Sequence, residues 1–410
     1  MMRITEVDKC RLCHQRGLQE IFDFGMMDLP KWPRSKGGGV KAPLKLMACP
    51  ACGLGQLAHS IDQESLFRDY WYRTGMNGTM RRHMADLARA VSREINIKDK
   101  DLVVEVGTND GTLLRDFKKG RLVGFEPSNL CPKESKHGIR WINDFFDAKL
   151  LPKTEHGAVK ALLSIAMFYY LDEPEDFAGQ VERLLSPDGI WVCEMAYALD
   201  LLERVSFDFI NHEHVTVWSA KQFNRVVKKA GLEIFRIERN GLNGGSIRFW
   251  VGRPGERPVE SSVAKTVRLE EGRLSMPAWQ QLAKNIRRAS EELRRLVLKL
   301  RSEGKTVMVY GASTRGLTTL GAARLDSEEI ANAVEITTQK FGRFYGSTGI
   351  KVTPEAKMRA SPPDALLILP YSFIKEFVRR EKTFLENGGV FIVPMPVPKI
   401  ISQANMGDIS

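Results

Sequence analysis

Four consecutive residues, Asn211, His212, Glu213 and His214, place two histidines and an acid between apolar runs in the segment FDFINHEHVTVWS. A neutral imidazole, with a pKa near ~6.5, can accept a proton at neutral pH, so a histidine here could be a general base. The same side chains could instead be satisfied core residues. A metal site is disfavoured, because no third ligand of suitable spacing is close by. If the four residues are extended, His212 and His214 share a face and Glu213 points away, whereas a turn would break that rule.

Four of the six cysteines form two Cys-x2-Cys pairs, Cys10 with Cys13 and Cys49 with Cys52. Each pair directs two sulfurs at one centre, and two pairs supply the four thiolates that structural Zn²⁺ prefers. Disulfides are disfavoured in a cytoplasmic chain. The sequence therefore predicts a structural zinc site with no open position for chemistry.

A strand, a glycine turn and a helix start are predicted in LVVEVGTNDGTLL, where Gly107 and Gly111 allow a ligand to approach the backbone. The next predicted strand ends at Glu126, which can accept hydrogen bonds from both hydroxyls of a ribose. The spacing differs from the G-x-G-x-x-G of dinucleotide sites and favours S-adenosylmethionine over NAD. We expect the cofactor site to comprise Glu105, Gly107, Asn109, Asp110, Glu126, Pro127, Asp144, Phe145 and Ala166.

A second strand–glycine turn–helix pattern occurs in KTVMVYGASTRGLTTL. Gly311 and Gly316 could seat a phosphate at the start of the helix, with Arg315 as the counter-charge. A Rossmann-like fold with no ligand of its own is the equally supported alternative.

These patterns predict an α/β protein of three domains: a zinc-binding domain (1–70), a Rossmann-like S-adenosylmethionine domain (71–260), and a helical linker with a C-terminal Rossmann-like domain (261–410). The charged run from Lys284 to Lys305 has helical spacing, which predicts a solvated helix face.

The net charge is +11, from 61 Lys and Arg against 50 Asp and Glu. This excess suits an anionic, nucleotide-linked small molecule, whereas the cysteine pairs lack the aromatic and basic residues that read nucleic acid. No apolar run approaches the ~20 residues of a membrane helix. The N-terminus lacks the apolar core of a signal peptide. We therefore expect a cytoplasmic monomer that binds neither nucleic acid nor membrane.

Taken together, the motifs resemble those of the three-domain sugar C-methyltransferases, which act at C3 of nucleotide-linked 4-keto-6-deoxysugars. The resemblance spans nearly the whole chain. It rests on the two cysteine pairs, YWYRTGMNGTMRRH, VVEVGTNDGTLL, FDFINHEH, NGGSIR, YGASTRG and KFGRFYGSTGIKV.

The resemblance implies deprotonation of the carbon beside a ketone, followed by attack of the enolate on the methyl group of S-adenosylmethionine. It assigns the base to His214, with Glu213 beside it, and places Tyr72 and Asn211 at the acceptor. We expect the substrate-binding residues to be Tyr170, His212, Asn243, Arg315, Lys340 and Arg343.

Four positions depart from the family pattern. The family usually has tyrosine at Asn211, asparagine at Ala166, and histidine at Tyr170 and Asn243. Such changes leave the fold and cofactor in place but affect the choice of acceptor. They keep open a second possibility, an O- or N-methyltransferase that acts on another anionic metabolite.

Overall fold

The structure is a computed structural model that describes residues 2–132 and 138–408. These residues form four β-sheets and eleven α-helices. The strands are β1 (Ile4–Glu6), β2 (Gln19–Asp28), β3 (Lys41–Ala48), β4 (Gly55–Leu57), β5 (His59–Ile61), β6 (Leu102–Val106), β7 (Arg121–Phe125), β8 (Ile139–Ile142), β9 (Val159–Ile165), β10 (Leu185–Ala196), β11 (Thr216–Val217), β12 (Glu233–Asn240), β13 (Ser246–Gly252), β14 (Val307–Tyr310), β15 (Asn332–Glu335), β16 (Lys351–Pro354), β17 (Ala365–Ile368), β18 (Val390–Val393) and β19 (Lys399–Ile401). The helices are α1 (Gln63–Phe67), α2 (Gly78–Glu94), α3 (Pro174–Leu184), α4 (Ala198–Arg204), α5 (Ala220–Lys229), α6 (Ser261–Glu270), α7 (Met276–Ser302), α8 (Thr314–Ala322), α9 (Glu355–Ala360), α10 (Ile374–Arg380) and α11 (Lys382–Glu386). No helix in these two ranges is long and apolar enough to cross a membrane.

The central sheet has the strand order β12-β13-β10-β9-β6-β7-β8. Strands β6 to β10 run parallel, and β12 and β13 are antiparallel additions at one edge. All five residues of β6 (LVVEV) are buried, as expected for a strand covered on both faces. The strand order reverses between β6 and β9, and ligands of such sheets bind at the carboxyl ends of the strands beside that point. The glycine turn after β6 therefore lies where a cofactor is expected.

The C-terminal sheet repeats this architecture with the order β16-β15-β14-β17-β18-β19. Five strands are parallel and β19 is an antiparallel edge. The glycine turn of YGASTRG follows β14 and leads into α8. The predicted α/β class with two Rossmann-like sheets is confirmed, whereas the exact domain boundaries stay predictions.

Helix α7 joins the two halves of the molecule. Its buried residues recur at helical spacing, and the first of them (Trp279, Leu282 and Ile286) pack with the core around the central sheet. Leu293 and Val297, further along the same face, pack in the core of the C-terminal sheet. The basic residues between them face outward, which confirms the predicted solvated face.

The four predicted zinc ligands lie together in the N-terminal domain. Their sulfur atoms are all within 4.8 Å of one another, and all four cysteines are free thiols. Four thiolates bound at about 2.3 Å to one tetrahedral ion would lie about 3.8 Å apart, so this arrangement fits Zn²⁺. Neither His14 nor His59 belongs to the cluster.

The second cysteine turn joins the zinc-binding domain to α5 of the central domain and to α7. The Trp279 indole donates to the Gly53 carbonyl at 3.1 Å, and the Gln222 amide donates to the Cys52 carbonyl at 3.1 Å. Strand β4 follows the second turn and pairs with β11. His214 lies two residues before the start of β11. The metal-binding turns thus support the backbone beside the histidines.

Substitution of a ligand tests the metal site. Cys49→Ala should reduce zinc from one ion per chain to none and destabilise the N-terminal domain by about 4–5 kcal/mol or more, because the binding energy of a structural metal is also folding energy. Elemental analysis and thermal unfolding measure the two effects. Cys131→Ala, outside the cluster, is the control and should keep its zinc. Absence of zinc from freshly purified wild-type protein would refute the assignment.

Candidate active site

The carboxyl ends of the central and C-terminal sheets open onto one cavity of about 480 Å³. Residues from all three predicted domains line it. The predicted site residues in its wall are Tyr72, Gly107, Asn109, Glu126, Pro127, Asp144, Phe145, Ala166, Tyr170, Glu213, His214, Asn243, Arg315 and Lys340.

The cofactor side of the cavity is built by the glycine turn after β6 and by Glu126 after β7. Gly107 has a φ of +74°, a conformation that favours glycine. The Glu126 carboxylate accepts from the Asn109 amide at 2.6 Å and from the Ser128 amide at 2.9 Å. These bonds hold the acid at the ends of two neighbouring strands, as a ribose-binding carboxylate requires.

Three non-glycine residues of the cavity wall have left-handed backbone conformations. Asn109, Ala166 and Asn243 have φ values of +56°, +55° and +54°. Strained conformations of this kind cluster at functional sites. Asparagine tolerates the conformation better than alanine does.

Residues 70–76, here called the strap, lie over the glycine turn. The side-chain nitrogen of Asn109 donates to the Tyr72 carbonyl at 2.9 Å, and its side-chain oxygen accepts from the backbone amide of Thr74 at 3.0 Å. The strap presents Tyr72, whose surface is 45% exposed, and Arg73 to the cavity.

Residues 207–214, here called the histidine string, form a short 3-10 turn followed by a second turn. The His214 amide donates to the Asn211 carbonyl at 3.0 Å, so the four residues are not extended. Glu213 and His214 consequently both reach the cavity, whereas Asn211 and His212 do not.

His214 is held with one ring nitrogen bonded and the other available. Its Nδ1 lies 2.5 Å from the Phe209 carbonyl oxygen and 3.1 Å from the Asn211 side-chain nitrogen. Because a carbonyl oxygen can only accept, the shorter contact assigns the proton to Nδ1 and leaves Nε2 as an acceptor. Nε2 has no hydrogen-bond partner among the described residues. The ring packs against Phe209 and Tyr169 and stacks on Tyr170 at 5.6 Å. Burial, together with the charge of Arg315, lowers the pKa of His214 to about 3, so the ring is neutral at physiological pH.

Glu213 differs electrostatically from its neighbour. Burial raises the pKa of the Glu213 carboxyl to about 8, an effect that the charge of Lys31 partly offsets. A carboxyl and an imidazole therefore face the same cavity with pKa values displaced in opposite directions, a pattern typical of acid–base sites.

Asn211 and His212 were expected at the acceptor, but they do not line the cavity. Both make hydrogen bonds that hold the local backbone. The Asn211 side chain accepts from the Glu213 amide at 3.0 Å and donates to the Phe209 carbonyl at 3.1 Å. His212 Nε2 lies 3.1 Å from the carbonyl of Ala42 in β3, and burial lowers the pKa of this histidine to about 4. Asn211 shapes the turn, and His212 fastens it to the zinc-binding domain.

Three more predicted residues stand behind the wall. Asp110 accepts from the Gly75 amide at 2.9 Å and so holds the strap. Arg343 donates to the Trp32 carbonyl at 3.1 Å. Glu105 is buried, and burial raises its pKa well above the ordinary value. The structure places none of the three in direct reach of a ligand in the cavity.

The cations on the acceptor side are mostly neutralised. Lys340 forms an ion pair with Glu335 at 3.1 Å and lies 4.0 Å above the Trp32 ring. Arg315 is paired with Asp208 at 2.8 Å. Of the lysines and arginines that line the cavity, Arg73 alone forms no ion pair with a described acid. The sequence did not single out Arg73 or Asp208. The motifs that contain them, YWYRTGMNGTMRRH and FDFINHEH, do not show which charges are paired in space.

Three family models match successive parts of the chain. Residues 10–67 match a zinc binding domain, residues 76–237 a methyltransferase domain, and residues 241–396 a C-methyltransferase C-terminal domain.

A relative of known name matches at full length. C-methyltransferase NovU from Streptomyces niveus is 30% identical over 411 residues, which cover 97% of this chain and 98% of NovU.

Two solved structures each match less than half of the chain. The PH0226 protein of Pyrococcus horikoshii has a TM-score of 0.36 and 17% identity, covering 44% of this chain and 94% of its own. The magnesium protoporphyrin IX methyltransferase of Synechocystis, with bound S-adenosylhomocysteine, has a TM-score of 0.34 and 12% identity, covering 43% and 88%. Likenesses of this size bear on neither the substrate nor the reaction.

The full-length match and the three domain matches agree with the four-cysteine cluster and with the glycine turn beside Glu126. The chain therefore belongs to the S-adenosylmethionine-dependent C-methyltransferases that carry an N-terminal zinc-binding domain and a C-methyltransferase C-terminal domain.

Proposed function

We propose that this enzyme methylates the carbon beside the ketone of a nucleotide-linked keto-deoxysugar. The main support for this proposal is that Glu213 and His214 line the same cavity as the glycine turn and Glu126. A carbon beside a ketone must lose a proton before it can attack a methyl group, and this loss needs a base. The relationship to C-methyltransferases favours carbon over the oxygen or nitrogen acceptor that the four departures left open.

On the cofactor side, Glu126 accepts from the ribose hydroxyls and Gly107 borders the methionine end. Asp144 and Phe145 border the adenine. When bound, S-adenosylmethionine supplies an electrophilic methyl group on a sulfonium. The fit is supported by the buried Glu126 carboxylate, which its two backbone bonds hold at the cavity wall.

On the acceptor side, His214 Nε2 takes the proton while Nδ1 stays bonded to the Phe209 carbonyl. Ionised Glu213, adjacent in the wall, stabilises the resulting positive charge on the ring. We assign Tyr170 and Tyr72, two of the tyrosines that line the cavity, as donors to the developing enolate oxygen.

Arg73 is the residue we assign to the negative charge of the acceptor. Arg73 lines the cavity from the strap and is not engaged by a described acid, so we assign it to the phosphate groups. Lys340, already paired with Glu335, contributes to the shape of the site more than to its charge. Cytoplasmic location and a monomeric state stay predictions.

The cofactor assignment is tested by Glu126→Ala. Loss of hydrogen bonds to a charged group should weaken binding of S-adenosylhomocysteine by roughly 1.5–3 kcal/mol, about 10- to 150-fold in the dissociation constant. Titration calorimetry measures it. Asp86→Ala, on the exposed face of α2, is the control acid. An unchanged affinity in a folded Glu126 variant would remove this residue from the site.

The base is tested by His214→Ala with a nucleotide-linked 4-keto-6-deoxysugar as acceptor. We expect kcat to fall by about 10²–10⁴ with affinity for S-adenosylhomocysteine unchanged, because a base acts in the transition state. In heavy water without S-adenosylmethionine, wild type should exchange the proton beside the ketone and the variant should not. Full activity of His214→Ala would mean that the ring is structural.

The pH dependence tests Glu213. Because its pKa is raised to about 8, the carboxyl is protonated below that pH and ionised above it. The positive charge of the bound cofactor favours the ionised form and should move the apparent value downward. We expect kcat to rise with pH up to about 8 in wild type. Glu213→Gln should lose this rise and be slower by roughly 10-fold or more at high pH. A flat wild-type profile from pH 6 to ~9 would contradict this role.

A further inference from the structure

Arg315, in the first turn of α8, donates hydrogen bonds from both of its terminal nitrogens to other parts of the chain. Its Nη2 donates to Asp208 Oδ1 at 2.8 Å, and its Nε lies 2.8 Å from Asp208 Oδ2. Its Nη1 donates to the Asn243 carbonyl at 2.6 Å. The Asp208 side chain is 3% exposed. A buried carboxylate thus lies against the guanidinium, with one hydrogen bond from Nη2 and a close ionic contact at Nε, and little charge is left for a phosphate.

The partner of Arg315 belongs to the histidine string. Two more side chains of the C-terminal domain grip the same few residues: the Tyr371 hydroxyl donates to Asp208 at 3.1 Å, and the Thr318 hydroxyl donates to the Ile210 carbonyl at 2.9 Å. The residue between Asp208 and Ile210 is Phe209, whose carbonyl accepts from His214 Nδ1.

We propose that Arg315 is a positioning residue: by fixing Asp208 it sets the Phe209 carbonyl and, through it, the tautomer and direction of the His214 ring. The C-terminal Rossmann-like domain then uses the start of α8, where related folds seat a phosphate, to hold the catalytic string of the central domain. This inference rests on the proposed function, because it takes His214 as the base. It replaces the sequence expectation that Arg315 is the counter-charge of a phosphate.

The ion pair between Arg315 and Asp208 fixes the position of the histidine string. Removal of either partner leaves the other charge buried and unpaired, so the string should move to find water or another partner. A displacement of about 1 Å at a base can cost about 10²-fold in rate. Binding of a ligand held elsewhere in the cavity should be affected much less.

The test compares Arg315→Met, Asp208→Asn and the double variant with Arg73→Met. Arg379→Met is the control, since Arg379 is an exposed arginine of α10 in the same domain. Three quantities are measured: affinity for uridine and thymidine diphosphates by calorimetry, kcat and KM on a 4-keto-6-deoxysugar nucleotide, and amide hydrogen exchange of residues 207–217.

We expect Arg315→Met and Asp208→Asn each to lower kcat by about 10-fold or more and to speed exchange in residues 207–217, with diphosphate affinity changed by less than about 2-fold. The kcat of the double variant should lie within about 3-fold of the kcat of the slower single variant, because the two substitutions remove the same interaction. Arg73→Met should instead weaken diphosphate binding and leave exchange of the string unchanged. Arg379→Met should change none of the three.

The opposite pattern would overturn the proposal. Diphosphate binding lost in Arg315→Met but kept in Asp208→Asn, with normal exchange in the string, would make Arg315 a phosphate ligand. If Arg315→Met does not fold, Arg315→Lys keeps the charge but replaces the two bonded guanidinium nitrogens with a single ammonium group. Wild-type kcat and exchange in that variant would equally refute the inference. Failure of both diphosphates to bind wild type would count against the proposed acceptor alone, because exchange in the string still decides the role of Arg315.

Discussion

The histidine string is a polar segment in the interior of the protein. Hydrogen-bond partners from the other two domains offset the free energy lost on burying it. A buried polar group without a partner costs about 1–3 kcal/mol, and a charged one costs more. His212 finds its partner in Ala42 of the zinc-binding domain, and Asp208 finds Arg315 of the C-terminal domain. His214 bonds within the string itself, which leaves its second nitrogen for the cavity. These partners come from two different domains, so both domains contribute to holding the string in the observed conformation.

The zinc site is part of this arrangement although it lies outside the cavity wall. The cysteine turns fix β3 and β4, and β4 pairs with β11 immediately after the string. His212 bonds to β3 from the other side. The metal therefore stabilises a small sheet whose last strand, β11, follows the histidine string along the chain. A closed tetrahedral site suits this role, since it contributes folding energy without competing chemistry.

The sequence predicted features that depend on local spacing and missed those that depend on distant partners. The Cys-x2-Cys pairs and the turn from Gly107 to Glu126 define their geometry over a few residues and one strand, and the structure places them together. The pairing of Arg315 with Asp208 joins residues 107 positions apart, so no local pattern reveals that the arginine is neutralised. One signal was available for Asn211: asparagine commonly accepts from the amide two residues on and forms a turn. That turn is the reason why Glu213 and His214 share the cavity, which an extended string would have prevented.

The left-handed conformation of Ala166 has a consequence for stability and for the space in the cavity. An L-residue other than glycine, asparagine or aspartate loses roughly 1–2 kcal/mol in this region of backbone space. The family that the sequence resembles usually has asparagine there, and the backbone of this chain, with φ of +55°, still has the shape that suits asparagine. Alanine is thus a less favourable occupant of this turn than asparagine would be. Its side chain ends at Cβ, so it leaves room at the cavity wall that a longer side chain would fill.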